Sequence, residues 1–388
     1  MNFTDIENLI IYKKATLLCV GPMSKNFVDT SIKLSNKKKF PLILIASRRQ
    51  IDSKLFGGGY VNNWNTEEFS KYVKKKDKKK TIFLARDHGG PYQNDLEIKK
   101  RMKLSDAIKS CKESYKVDII NDFKFIHIDP SLEIFEKLPL EKIIEIICDL
   151  MEFCWNIAKK YKKKIYFEIG TEEQSAFKND IETTEYVLNK IDKFSKKNKI
   201  DFPKFIVVQT GTKVFKNKNI GTFDTPIRVK NELPIEVQMP LVNKLCNKFK
   251  IFVKEHNVDY LSEESLKWHP SLEIHAANVA PEFGLVETKT ILKYLKLMKM
   301  NDEYESFANL CLTSKKWKKW VENDIKETSD ELKILLSGHY LFSSDEFIEI
   351  YKRLERKTRN KNIDLKNEIS KNLEISLHKY LKNFRIIR

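Results

Sequence analysis

Acidic and histidine residues recur at the ends of short apolar runs in this sequence. The clearest run is TIFLARDHGGP, residues 81–91, in which the apolar part ends in Asp87 and His88. Other runs end at Glu168 in KIYFEIG and at His256 in KIFVKEH. Imidazole nitrogens and carboxylate oxygens bind zinc and manganese, and both groups also transfer protons. The pattern therefore predicts a site for metal-assisted acid–base chemistry.

These residues at the ends of the runs are assigned three roles. The candidates for proton transfer are Asp87 and Glu172. The candidate ligands of a divalent ion, zinc or manganese, are His88, Glu168 and His256. The candidates for substrate binding are Arg48, Arg49, Gln209 and Asn278. A divalent ion held here would polarise a carbonyl group and stabilise an enediolate, while a nearby carboxylate moves the proton.

Each assignment has a structural alternative. Asp87 and His88 could hydrogen-bond neighbouring loops. Glu168 could be an interior residue paired with a lysine. Arg48 and Arg49 could hold a phosphate or a sugar carboxylate, or they could brace a loop.

For the remaining histidines the alternatives are a role in the site and a position in the core. His256 is either a metal ligand or a hydrogen-bonded interior histidine. His127 and His275 lie inside their apolar runs, where a side chain can point to either side of a strand, so we favour a core position for both.

The apolar runs are too short for helices, and they alternate with segments that have helical spacing. A parallel barrel with polar residues at the carboxyl ends of its strands fits this order. We therefore predict one elaborated (β/α)8 TIM-barrel domain over residues 1–388, with an N-terminal helical extension, a barrel over about 37–342 and a helical tail over 343–388. The first strand is assigned to 41–47 and the eighth to 334–341.

Composition limits the classes of function. The chain has 388 residues, a net charge of +18 and 41% hydrophobic residues, enough for a sizeable core. The lysine runs fall at the ends of predicted helices, where cations complement the helix dipole, and no nucleic-acid-binding motif accompanies them. No apolar stretch is long enough to span a bilayer, and the N-terminus lacks a secretory pattern. We expect a cytoplasmic protein that binds neither nucleic acid nor membrane, with free cysteines.

Several of these stretches together resemble a known family. They are IASRRQIDSKLFGGGYVNNW, ARDHGGPYQND, FKFIHIDPS, YFEIGTEEQ, FIVVQTGTKVF, FVKEHNVDYLS and IHAANVAPEFGLVETKTIL. Their order and spacing are similar to those of the non-catalytic-subunit family of class II tagatose-bisphosphate aldolases, which is related to metal-dependent aldolases and sugar epimerases. The resemblance runs from about residue 16 to the C-terminal tail.

The resemblance implies a barrel that binds a sugar or sugar phosphate. Asp87 matches the proton-transfer acid of the catalytic class II aldolases and His88 matches a metal ligand, while Glu168 and His256 match further positions around the metal. The implied activity is aldol cleavage or epimerisation through an enediolate or retro-aldol step in carbohydrate metabolism. The alternative is a non-catalytic subunit that stabilises or activates a partner aldolase. A catalytic aldolase subunit or a second copy of the chain is the implied protein partner.

Overall fold

The centre of the fold is a closed barrel of eight parallel strands. The computed structural model describes residues 1–130, 135, 137–170, 181–208, 211–221, 223, 234–321 and 324–388. The barrel strands are β1 (Leu17–Val20), β2 (Leu42–Ser47), β3 (Ile82–Asp87), β4 (Phe123–Ile128), β5 (Tyr166–Ile169), β6 (Phe205–Val207), β7 (Phe252–Glu255) and β8 (Ala276–Val279). Pairing of β1 with both β2 and β8 closes the ring. This is the (β/α)8 barrel predicted from the sequence.

Helices alternate with the strands and pack around the barrel. The α-helices of the described residues are α1 (Phe3–Ile11), α2 (Lys25–Lys38), α3 (Thr66–Lys76), α4 (Asp95–Lys99), α5 (Leu104–Ile120), α6 (Leu140–Lys160), α7 (Ile181–Asn198), α8 (Ile235–Phe249), α9 (Glu263–Ser271), α10 (Pro281–Leu297), α11 (Asn301–Ser314), α12 (Lys318–Val321), α13 (Asp330–Ser337), α14 (Asp345–Arg359) and α15 (Leu365–Asn383). Short 3-10 turns cover Lys54–Phe56 and Gly338–Tyr340, and Val214–Phe215 pairs with Lys218–Asn219 in a small hairpin. Within these described ranges, no helix combines the length and apolar character needed to cross a bilayer.

Two strand assignments made from the sequence are wrong. The barrel begins at β1 rather than at residue 41, and its eighth strand is β8 rather than 334–341. The segment 330–337 is helix α13, whose N-terminus is capped by the Ser329 side chain and carries two acidic residues in its first turn. These start signals outweigh the short apolar run ILL, in which Ile334 and Leu336 are buried.

An aromatic layer fills the lower half of the barrel interior. It consists of Phe83, Phe125, Tyr166, Phe205 and Phe252. Phe3 of α1 stacks on Tyr166 with ring centroids 4.4 Å apart, so the N-terminal helix covers this end of the barrel. Side chains alternate between the two faces of a strand, so the interior positions above this layer lie two residues further along each strand.

Arg86 fixes the orientation of the end of β3. Its guanidinium points outward to α5, where Nε and Nη2 each donate to an oxygen of Asp118 at 2.7 Å. Both side chains are fully buried. Because neighbouring residues on a strand face opposite sides, this bidentate pair directs the next residue, Asp87, into the barrel.

Candidate metal centre

Four buried side chains from four strands converge above the aromatic layer. Asp87 ends β3, His127 lies on β4, Glu168 lies on β5 and His256 directly follows β7. One nitrogen or carboxylate oxygen from each lies within 4.8 Å of the others. The nearest measured separations are His256 Nε2–Glu168 Oε1 3.4 Å, His127 Nδ1–Asp87 Oδ1 3.6 Å, His127 Nδ1–Glu168 Oε1 3.7 Å and His256 Nε2–Asp87 Oδ1 3.9 Å.

His127 therefore belongs to this donor cluster and also lies buried in the barrel interior, as favoured from the sequence. It lies two residues beyond Phe125, which belongs to the aromatic layer, so both face the interior. Its Nε2 is buried and has no hydrogen-bond partner in the described residues. His275 does lie outside the cluster, where its Nδ1 accepts a hydrogen bond from the backbone N–H of Val253 at 3.0 Å.

Lys254 is a further interior residue that the sequence analysis did not identify. Its ammonium donates to Glu168 Oε2 at 2.7 Å, and both side chains are almost fully buried. Burial alone would raise the pKa of Glu168, but the charges of Lys254 and His127 outweigh it and lower the pKa to about 2. The signal was present in the sequence, because Lys254 precedes His256 by two residues and shares its face of the strand.

Asp87 is held as a carboxylate. Burial would raise its pKa, but the charge of His88 and the hydrogen bond from His127 outweigh this effect and hold the pKa well below its ordinary value. Asn278, on β8, donates from Nδ2 to Asp87 Oδ1 at 3.2 Å. Asp87 Oδ2 lies 3.9 Å from His88 Nε2. At neutral pH Asp87 is therefore ionised.

His88 is oriented by a second carboxylate. Its Nδ1 lies 2.6 Å from Asp129 Oδ2, which leaves Nε2 directed toward Asp87. Burial alone would lower the pKa of His88, but the charge of Asp87 and the hydrogen bond to Asp129 raise it to about 9. The backbone of His88 has a φ of 45°, a left-handed conformation that is uncommon for a residue other than glycine.

The donor set fits a divalent ion. Burial lowers the pKa of His256 to about 4, so this imidazole is neutral and has a free lone pair at physiological pH. Two imidazoles and two carboxylates suit zinc or manganese. The four-donor group does not include His88. A carboxylate bound to His88 Nδ1 is the usual outer partner of a ligating histidine, but Nε2 of His88 could bind an ion only after losing the proton that Asp87 and Asp129 stabilise on the ring.

The predicted substrate-binding arginines lie outside the cluster. Arg48 is buried and bonded to three partners, namely Asp52 at 3.0 Å, Glu97 at 2.6 Å and Ser110 at 3.2 Å. Arg49 is exposed and pairs with Asp95 at 2.6 Å. Glu172 and Gln209 lie outside the described residues. The substrate-binding roles of Arg48, Arg49, Gln209 and Asn278 remain predictions, as does the proton-transfer role of Glu172.

Gly90 supports the loop that carries His88. A Cβ at this position would lie 1.8 Å from the carbonyl oxygen of Asp129, which leaves no room for a side chain. We expect Gly90→Ala to reduce the free energy of unfolding by roughly 1–3 kcal/mol through overpacking, and to weaken metal binding by displacing Asp129. Thermal unfolding and zinc titration would measure both effects.

The matched control for this change is Gly57→Ala. Gly57 has a φ of 82° but no neighbouring atom within 4 Å of a new Cβ. Gly57→Ala should lose only the roughly 1–2 kcal/mol that a left-handed backbone costs a residue with a Cβ, and it should bind zinc as the wild type does. Equal zinc affinity in the two variants would contradict the supporting role of Gly90.

Comparison with solved structures shows the same barrel fold. A protein from Sinorhizobium meliloti 1021, described as a probable tagatose 6 phosphate kinase, aligns with a TM-score of 0.71 at 14% identity over 95% of this chain and 100% of its own. A fructose-bisphosphate aldolase from Campylobacter jejuni aligns with a TM-score of 0.53 at 13% identity over 97% of this chain and 93% of its own. No family model and no curated protein sequence matches the chain. At these identities the comparisons establish the fold.

Proposed function

We propose that this protein is a metal-dependent sugar-phosphate aldolase or epimerase. The observation that carries the proposal is the donor cluster of Asp87, His127, Glu168 and His256. It lies at the C-terminal end of the barrel strands, where TIM-barrel enzymes have their active sites. The fold shared with a fructose-bisphosphate aldolase supports the same class of substrate.

In this proposal the residues of the cluster have separate tasks. A divalent ion would act as a Lewis acid on the substrate carbonyl. His127, His256 and Glu168 would hold it, and His88 Nε2 would join them only on losing its proton. Asp87 would accept the proton next to the carbonyl, at the oxygen Oδ2 that is not bonded to Asn278.

The Lys254–Glu168 ion pair favours a second candidate function. The ammonium neutralises one carboxylate of the cluster without any metal ion. A barrel stabilised in this way could act as a non-catalytic subunit that stabilises or activates a partner class II tagatose-bisphosphate aldolase. The two candidates differ in whether the purified protein binds a divalent ion.

Metal analysis distinguishes the two candidates. We expect the purified protein to hold near-stoichiometric zinc or manganese by elemental analysis. His256→Ala and Glu168→Gln should weaken zinc binding by at least about 10- to 100-fold, since loss of even an outer-shell partner has an effect of that size.

The control for metal analysis is His378→Ala, which removes an imidazole from the C-terminal helix α15. It should leave the metal content unchanged. A wild-type protein that binds no metal after incubation with excess zinc and manganese would contradict the enzymatic proposal and favour the subunit.

A further inference from the structure

A frequent phosphate-binding position of TIM barrels is filled here by a carboxylate. That position lies at the loops after the seventh and eighth strands and at a helix N-terminus. Asp259 follows β7, and its Oδ1 accepts hydrogen bonds from the backbone N–H groups of Ala280 and Glu282, both at 2.9 Å, at the start of α10. Asp259 is buried and makes the contacts that a phosphate would make. A phosphorylated substrate therefore needs a different anchor in this chain.

A group of cations lies on the same end of the barrel, close to the loop after β2. Lys319 Nζ lies 4.9 Å from the centre of the Tyr340 ring, and Lys316 Nζ lies 6.0 Å from it. The Nε of Arg49 donates a hydrogen bond to Asp95, and the Arg49 side chain makes no other hydrogen bond among the described residues. Neither lysine forms an ion pair with another described residue. The three cations thus share one nearby carboxylate, and positive charge is in excess.

Aromatic rings lie close to the ammonium groups of the two lysines. The Lys319 side chain is exposed overall, but its ammonium lies 4.3 Å from the Trp320 ring and also over the Tyr340 ring. Loss of hydration there, followed by repulsion from Arg49, lowers the pKa of Lys319 to about 8. An anion placed between these groups would relieve the repulsion and accept several charge-assisted hydrogen bonds.

Loop contacts connect this group to the strand that pairs with the strand of Asp87. Ser47, the last residue of β2, is the strand partner of Asp87, and Arg49 follows it by two residues. The backbone N–H of Tyr60 donates to the carbonyl of Arg49, and the Tyr60 ring lies 4.8 Å from that of Tyr340. The segment with the two lysines is thereby attached to the loop that leaves the strand next to Asp87.

We propose that Arg49, Lys316 and Lys319 form the binding site for the phosphate group of the substrate. The anion site is argued from the charges and the packing of these residues, whereas its role in substrate binding rests on the proposed function. The site replaces the helix N-terminal position occupied by Asp259. It predicts that phosphorylated sugars bind and that their unphosphorylated forms do not.

The test is isothermal titration of the metal-free protein with inorganic phosphate at low ionic strength. In the double variant Arg49→Gln/Lys319→Gln we expect phosphate to bind at least about tenfold more weakly, since charge-assisted hydrogen bonds are lost. Each single variant should show part of this loss. The matched control is Lys78→Gln/Lys361→Gln, which removes two charges from exposed positions and should stay within about twofold of the wild type.

Several outcomes would overturn the proposal. One is a wild-type protein that does not bind phosphate, and another is an equal loss of affinity in the control variant. Dihydroxyacetone phosphate should displace bound phosphate, whereas dihydroxyacetone should not; failure of this competition would exclude a sugar phosphate as the ligand. Because these titrations use metal-free protein, they are independent of the metal analysis, and an absent metal would overturn the proposed function without affecting the anion site.

Discussion

Lys254→Met is expected to lower the free energy of unfolding of the metal-free protein by about 3–5 kcal/mol. The change removes the ammonium that lies 2.7 Å from Glu168 and leaves a buried carboxylate without its cationic partner. A divalent ion would restore the missing positive charge. Added zinc should therefore raise the melting temperature of the variant more than that of the wild type, as measured by differential scanning calorimetry.

The control for this experiment is Lys379→Met. Lys379 also lies 2.7 Å from a carboxylate, that of Glu282, but this carboxylate accepts further hydrogen bonds from Tyr380 and Ser376. Lys379→Met should lose less stability than Lys254→Met, and added zinc should not change that loss. An equal zinc-induced shift in wild type and Lys254→Met would show that the ion does not bind at Glu168.

The dependence of stability on pH follows from the same ion pair. The pKa of Glu168 is about 2 in the folded protein and 4.5 ordinarily, so the unfolded state binds the proton more readily. Its contribution to stability is fully present above pH 4.5 and is lost as the pH falls toward 2. In Lys254→Met the folded-state pKa rises, so this contribution shrinks and acid unfolding should begin at a higher pH.

The sequence was sufficient to predict the barrel because buried parallel strands are short apolar runs that end in polar residues. It was not sufficient to count them. β1 is only four residues long, and the apolar run in α13 has the length of a buried strand although the Ser329 cap marks the start of a helix. The number of barrel strands depends on which strands pair around the ring, and this pairing cannot be read from any one apolar run.

The sequence identified cluster residues that lie at strand ends and missed those whose inward direction depends on strand phase, while the roles assigned to all of them remain predictions. Asp87, Glu168 and His256 were selected by position, and the structure brings them together. His127 and Lys254 lie within their runs, and only the alternation of side chains assigns them to the interior. The alternative considered for Glu168, a pairing with a lysine, is present alongside its place in the cluster.

Asp87→Asn should have the largest effect on catalysis. The substitution keeps the shape of the side chain and one oxygen for the cluster, but it removes the carboxylate that accepts the proton. With zinc-loaded protein and dihydroxyacetone phosphate in D2O, we expect exchange of the hydrogen next to the carbonyl to slow by about 10²- to 10⁴-fold. NMR measures this exchange without knowledge of the natural sugar or of the subsequent step.

The interpretation of this variant depends on its metal content. Zinc should remain bound, because His127, Glu168 and His256 are unchanged, and elemental analysis of the same sample verifies this. Asp149→Asn is an equivalent change at an exposed ion pair with Lys112, and this variant should catalyse the exchange at the wild-type rate. If Asp87→Asn retained both zinc and wild-type exchange, another residue would have to be the base. Loss of exchange together with zinc would instead make Asp87 chiefly a metal ligand.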